Sequence, residues 1–316
     1  MGLSNKENRS VSEMIRHNKR KGSSTQIIEK LVPYFLLFCG IISILTTIGI
    51  VFTLLVETFT FFNRVPFIEF ITSKEWLPFY TGEDASYGIW PLVAGTLLIT
   101  GIAMIVAVPI GIGSAIYLSE YASQRTRQII KPVLEVLAGI PTIVYGFFAL
   151  TFVTPILRTF IDGVMIYNAL SAGLVVGIMI IPMIASLSED AMNSVPNSIR
   201  DGAYAMGATK FEVATKIVLP AAMSGIIASV VLGISRAIGE TMIVAVAAGS
   251  SPKATLDPTE SIQTMTAYIV QVSLGDAGYG TTIYYSIYAV GMTLFVFTLI
   301  MNLLAQYISK RFREVY

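Results

Sequence analysis

Arg236 and Glu240 stand four residues apart in Ser235-Arg-Ala-Ile-Gly-Glu-Thr241, inside an apolar stretch that runs from 217 to 248. A spacing of four puts both charges on one face of a helix, and the stretch read as one helix is roughly 48 Å long with the pair near its middle. A charge at bilayer depth costs about 2.5–3.5 kcal/mol on insertion scales, so it must face a bundle interior, a partner or water. Two chemistries fit. The pair can be a structural ion pair, or the guanidinium can offer its planar fork to a tetrahedral oxyanion while the carboxylate holds the fork or repels a second anion. Gly233 and Gly239 flank the pair and leave room for a solute or a close partner helix. Other chemistries find no residues. The one cysteine is Cys39 and the one histidine is His17, so neither an internal disulfide nor a Cys/His metal set can form. Lys210 follows Gly-Ala-Thr and precedes Phe, and no Walker A loop occurs, so the chain is read as no enzyme, with any ATP hydrolysis on another subunit.

The elements that must hold this pair are membrane spans. The chain has 316 residues, 54% apolar and 13% charged with a net charge of +1, and its mean hydropathy is +0.71. Soluble domains carry about 25% charged residues, so a soluble enzyme does not fit. A nucleic-acid binder would need gathered Lys and Arg. Six apolar runs lie near 31–56, 89–118, 133–156, 169–187, 217–248 and 283–308, each long enough for a crossing of roughly 20 residues. They predict an all-α integral membrane protein of about six transmembrane helices. The expected divisions are a basic tail 1–30, a first membrane helix 31–62, an outer segment 63–88, a core of five helices over 89–308, and a tail 309–316. The first run is too long for a signal-peptide core and lacks a small-residue cleavage site, so it is expected to stay as a helix.

Basic residues orient the spans. With both termini cytoplasmic, sixteen Lys and Arg fall inside, four fall outside at Arg64, Lys74, Arg158 and Lys253, and Arg236 lies within a span. Two outer stretches, 57–88 with Trp76 and Glu83-Asp84, and 249–282, read as outward-facing surface. Pro109, Pro141 and Pro182 sit inside the second, third and fourth runs, where they kink a helix for packing or free a carbonyl toward a cavity. Glu57 and Glu135 can reach the interface, and neither they nor His17 and Cys39 are assigned a role.

The cytoplasmic segment 197–220 carries its own signals. Pro196 with Asn197 or Ser198 can begin a short helix, Gly207 suits a left-handed end, and Thr209 with Glu212 makes a capping box for a second helix. Tyr204 and Met206 are bulky and apolar on this face, among the small Gly202, Ala203, Ala205 and Gly207 that permit close approach. From the residues alone, this hairpin either rests on the membrane or is gripped by a partner.

Asp201-Gly202-Ala203, Gly207, Ile217, Leu219 and Pro220 match in spacing the cytoplasmic motif of the permeases of binding-protein-dependent ABC importers, E-A-A, three residues, Gly, nine residues, I-x-L-P. The departures are Asp for Glu and Gly for the first Ala. The chain resembles that family, whose type I importer permease fold is therefore expected. The resemblance implies that 201–220, with Tyr204 and Met206, couples to a cleft of the ATPase subunit. Leu137-Ala-Gly-Ile-Pro-Thr-Ile-Val-Tyr-Gly146, Ser235–Thr241 and Tyr87–Thr96 are similar to the PstC-type permeases of phosphate importers, over roughly 85–310. PstA-type companions share the coupling motif and much of the fifth span, and sulfate or molybdate permeases remain alternatives, since an arginine by itself does not distinguish oxyanions. The implied partners are a PstA-like second permease, a PstB-like ATPase dimer holding ATP and Mg, a PstS-like extracytoplasmic phosphate-binding protein, inorganic phosphate and the lipid bilayer of a bacterial or archaeal cytoplasmic (inner) membrane. An ion-gradient-driven transporter would be supported by inverted repeats, and none is visible. A receptor or scaffold would leave Arg236 without a purpose.

Overall fold

A computed structural model describes residues 11–80 and 82–311, with side chains for 29–80, 82, 84–275, 277–304 and 306–307. The basic side chains of 1–28, His17 and those of the 309–316 tail lie outside this description. The chain divides into two units at Val56/Glu57. Unit one holds the first part of helix α1, Val11–Phe62, whose side chains from Glu29 to Val56 are almost all exposed. An apolar helix with that exposure suits a hydrocarbon solvent.

The second unit is built on α3 (Trp90–Ile116, running on through a π turn to Tyr121) and α7 (Ala169–Asn193). Pro91 starts α3, where its missing N–H is not needed. The Asn168 side chain accepts from Ser171 N at 2.7 Å and caps α7. The two helices approach at small residues: a Cβ on Gly177 would lie 2.8 Å from Ala103 O. Backbones this close gain dispersion contacts, the main attraction available between helices in lipid.

The third apolar run is not one helix. Residues 124–139 form a separate amphipathic helix α4 (Gln124–Gly139) with no buried residue, and the span is Thr142–Phe160, made of α5 (Thr142–Phe148), a π turn at Ala149–Val153 and α6 (Thr154–Phe160). Ile140 is extended and Pro141 caps α5, because a residue before proline is pushed out of the helical region. Pro141 thus separates two elements instead of kinking one, whereas Pro109 and Pro182 do lie inside α3 and α7.

The fifth run is broken twice. After α8 (Asn197–Ala205), the limb α9 (Lys210–Glu212), a π stretch and α10 (Leu219–Ala221) meet α11 (Met223–Ile238) at 72°. α11 ends at Gly239, and α12 (Met242–Ala247) follows. A straight 48 Å helix is therefore ruled out. By length and composition, five helices among the described residues can cross a membrane, and six if the bent pair counts as one.

The outer stretches also fold inward. α2 (Phe67–Thr72) precedes an antiparallel pair, β1 (Trp76–Leu77) with β2 (Ser86–Tyr87), in the register Trp76↔Tyr87. Trp76 is buried, edge-on to Phe70, Tyr87 and Tyr268, the last at 4.9 Å. Tyr268 belongs to α13 (Met265–Gln271), which is largely buried and followed by α14 (Thr282–Arg311). The expectation of outward-facing surface at 57–88 and 249–282 fails for these residues, because aromatic area of this size leaves water wherever it can pack.

Candidate functional site

Arg236 lies in the last turn of α11, roughly 20 Å from the bend at Ala222 at 1.5 Å per residue, and Glu240 follows in the break before α12. Arg236 Nη1 donates to Glu240 Oε2 at 2.7 Å. The other carboxylate oxygen accepts from Met242 N at 3.1 Å and Ile243 N at 3.2 Å, so Glu240 caps α12 as well as pairing the arginine. Its backbone carbonyl accepts from Thr266 Oγ1 at 2.6 Å, which ties the break to α13. The two partners differ in exposure: the Glu240 side chain is 2% exposed and the Arg236 side chain 41%. Arg236 Nη2 also reaches Met179 Sδ of α7 at 3.7 Å, a weak contact. The structure therefore brings the sequence-predicted pair together and makes Glu240 the fixed member. Gly233 does not leave free room, since a Cβ there would meet Ile184 of α7 at 3.1 Å.

The second group of sequence-selected residues lies on α8 and the limb behind it. Gly207 takes φ +85° with open space around it, which an L side chain would adopt only with strain. The capping box forms as expected: Glu212 N donates to Thr209 Oγ1 at 3.3 Å and Thr209 N to Glu212 Oε2 at 3.1 Å. The Thr209 backbone N–H, then Lys216 and the Thr209 hydroxyl, hold the Glu212 carboxyl down to about 2 from an ordinary 4.5. Met206 is 89% exposed, and Tyr204, Asp201 and Gly202 are exposed with it. Ala203, Ile217 and Leu219 are half-buried, and Pro220 is exposed. The apolar tip therefore protrudes from one end of the second unit, supported by a buried patch of Val213, Val218, Met192 and Val195.

Residues that the linear pattern did not single out form a polar cluster beneath this tip. Glu189 is fully buried and pairs with Arg127 at 3.2 Å and Lys131 at 3.1 Å, both from α4. The contacts of Arg127 Nε with Glu189 Oε1 and of Lys131 Nζ with Glu189 Oε2 are charge to charge, without hydrogen-bond alignment. Arg200 of α8 pairs with Glu120 at 3.1 Å and donates to Met192 O at 2.7 Å. Arg127 and Lys131 at a spacing of four in a helix, with an acid just past the end of an apolar run, were the available signal.

Residues 107–314 match the family described as "Binding-protein-dependent transport system inner membrane component". The chain belongs to this family. The permease is 33% identical over 311 residues to the probable ABC transporter permease YqgH of Bacillus subtilis, covering 98% of this chain and 99% of that one. It is 34% identical over 264 residues to the phosphate transport system permease PstC of Xylella fastidiosa, covering 77% and 79%. Its fold is similar to a bacterial ABC transporter involved in the import of the acidic polysaccharide alginate, with a TM-score of 0.60 at 16% identity over 95% of this chain and 100% of that one. It is also similar to the MetNI methionine ABC transporter, with a TM-score of 0.53 at 17% identity over 72% and 95%. The permease is thus an all-α, multi-pass integral membrane protein, the non-catalytic transmembrane component of an ABC transporter. It moves a solute by alternating access while a separate ATPase dimer hydrolyses ATP, together with a second permease and a substrate-binding protein.

Proposed function

We propose that this permease is the PstC-type subunit of a phosphate importer, with Arg236 and Glu240 in the solute path and residues 197–220 as the ATPase-coupling segment. The observation that carries the reading is the Arg236 guanidinium, set within a span, pinned on one nitrogen by a buried carboxylate and 41% exposed on the rest. A guanidinium oriented by a fixed carboxylate presents its remaining N–H donors as a planar fork suited to a tetrahedral oxyanion. The likeness to PstC permeases supports phosphate among the oxyanions. The exposed Tyr204 and Met206 beside the Gly207 turn support a docking tip for an ATPase cleft, with Asp201, Gly202, Ala203, Gly207, Ile217, Leu219 and Pro220 as the frame that holds it. In this reading the tails 1–30 and 309–316 are cytoplasmic, 31–62 is the first membrane helix, 63–88 is extracytoplasmic, and the partners are PstA-, PstB- and PstS-like proteins.

A second reading has its own observation. Glu240 is completely satisfied by Arg236 and two backbone N–H groups, as a structural ion pair that closes a helix break would be.

Purification in mild detergent tests the reading. An ATPase subunit bearing a Walker A loop should copurify, and its association should be lost in Gly207→Trp, which cannot take the turn or fit a close interface. Cells lacking other phosphate uptake should import phosphate through the intact complex, unaffected by excess sulfate or molybdate. Import of sulfate instead, or normal ATPase association in Gly207→Trp, would reject the respective half of the proposal.

A further inference from the structure

Four elements meet at the end of the second unit that carries the exposed tip: α8, the π turn that ends α3, the last turn of α7, and α4. Their polar side chains form one connected chain. Arg200 of α8 places Nε and Nη2 on a single oxygen of Glu120, at 3.2 and 3.1 Å, and its Nη1 reaches Asn197 Oδ1 at 3.3 Å. Ser119 Oγ lies 3.1 Å from that same Glu120 oxygen and 3.3 Å from Asn193 Oδ1. One hydroxyl proton faces two acceptors there, so this contact has two alternative states. Asn193 Nδ2 donates to Glu189 Oε1 at 3.2 Å, and Glu189 holds Arg127 and Lys131 of α4. Arg127 closes the circuit by donating to Leu118 O at 2.7 Å and Asn193 Oδ1 at 3.4 Å. From α4 the path continues: Tyr145 Oη of α5 donates to Leu137 O at 2.7 Å, across the break at Pro141.

Charges are expensive at this burial. The Glu189 side chain is fully buried and that of Glu120 is 5% exposed. Replacing buried ion pairs with apolar groups is often neutral or stabilising, so a buried pair is better accounted for by fixing a unique arrangement than by adding stability. The arrangement fixed here joins the tip to a helix that buries no residue fully, with Ile130, Leu134 and Leu137 only half-buried, so its charges carry much of its attachment.

We propose that Glu120, Asn193 and Glu189 are positioning residues that lock α4 to α8, so that displacement of the coupling tip is delivered to α4 and on to the span Thr142–Phe160. Asn193 is one bridge, since its amide accepts from Ser119 and donates to Glu189, and the Arg127 bond to Leu118 O runs parallel to it. The inference rests on the reading of α8 as part of the coupling segment.

The test uses the full transporter, with its ATPase, second permease and binding protein, in lipid vesicles. Nitroxide labels are placed at Ile129 on α4 and Ser198 on α8, both exposed, in a Cys39→Ser background. In the parent protein the label-to-label distance should stay single and unchanged between nucleotide-free and vanadate-trapped states, because the two helices move as one. In Asn193→Ala, an exposed position whose loss leaves both ion pairs in place, the trapped state should show a shifted or split distance. ATP hydrolysed per solute moved should rise at least about fivefold, the lower end of energetic coupling between sites. Glu120→Ala, which removes the oxygen that Arg200 and Ser119 share, should behave alike. A parent distance that itself changes by several ångströms on trapping would overturn the proposal, as would an Asn193→Ala distance that does not respond. Failure of the coupling reading has its own signature, namely ATPase association that survives Gly207→Trp.

Discussion

Arg236 and Glu240 share one hydrogen bond and have unequal freedom. Glu240 accepts at both oxygens, whereas Arg236 keeps an exposed face. That asymmetry gives the pair a decisive experiment. Arg236→Gln should abolish uptake without loss of ATPase assembly, because a solute anion then loses its countercharge within a span. Arg236→Lys should leave at most partial uptake, since charge survives and the planar fork does not. In the double variant Arg236→Gln with Glu240→Gln, the glutamine oxygen can still accept from Met242 and Ile243, so the α12 cap is kept while both charges go. Phosphate uptake near the parent level in that double variant would mean the pair is structural; uptake still absent would mean Arg236 meets the solute. The spacing of four was legible in the sequence. The cap was not, because it depends on a helix break that the apolar run conceals.

At the scale of elements, the turn between α8 and α9 was readable in detail, since each of its signals is local: a proline at the start, a glycine at positive φ, and a Thr–Glu box. The Glu212 carboxyl is lowered from 4.5 to about 2, and a depressed acid adds stability above its unfolded value. The capping contribution should therefore be complete above about pH 4.5 and fade as pH falls through about 2. Hydrogen exchange at the Thr209 to Val213 amides should quicken over that interval, beyond the intrinsic pH effect, and Glu212→Gln should remove the dependence. Identical protection across the interval would dissociate the box from the carboxylate. Hydropathy averages over the breaks in the third and fifth apolar runs: Ile140-Pro141 divides one run, and Ala222 and Gly239 divide the other.

For the whole molecule the sidedness is set by where basic residues fall, and it is open to direct labelling. In a Cys39→Ser background, a cysteine at Lys253 should react with an impermeant thiol reagent in intact cells, while one at Lys210 should react only after permeabilisation. Both positions are exposed, so burial does not confuse the result. The reverse pattern would invert the orientation and move the coupling tip to the wrong side of the membrane. The outer stretches show a different limit of sequence reading. Trp76 and Tyr268 are 192 residues apart in number and in edge-on contact in space, so neither stretch taken alone reveals that it is core.

What the sequence determined by itself is whatever depends on neighbours within about a turn or on sums over a span: membrane class, basic-residue asymmetry, the coupling-motif spacing, the capping box and the facing of Arg236 and Glu240. Only the tertiary structure decided which charges are buried together. Glu189 with Arg127 and Lys131, and Arg200 with Glu120, lie 58 to 80 residues apart, and their pairing follows from how α3, α4, α7 and α8 converge. No local preference encodes such a meeting. Burial fixes it, because a carboxylate removed from water must find its counterion wherever the fold delivers one.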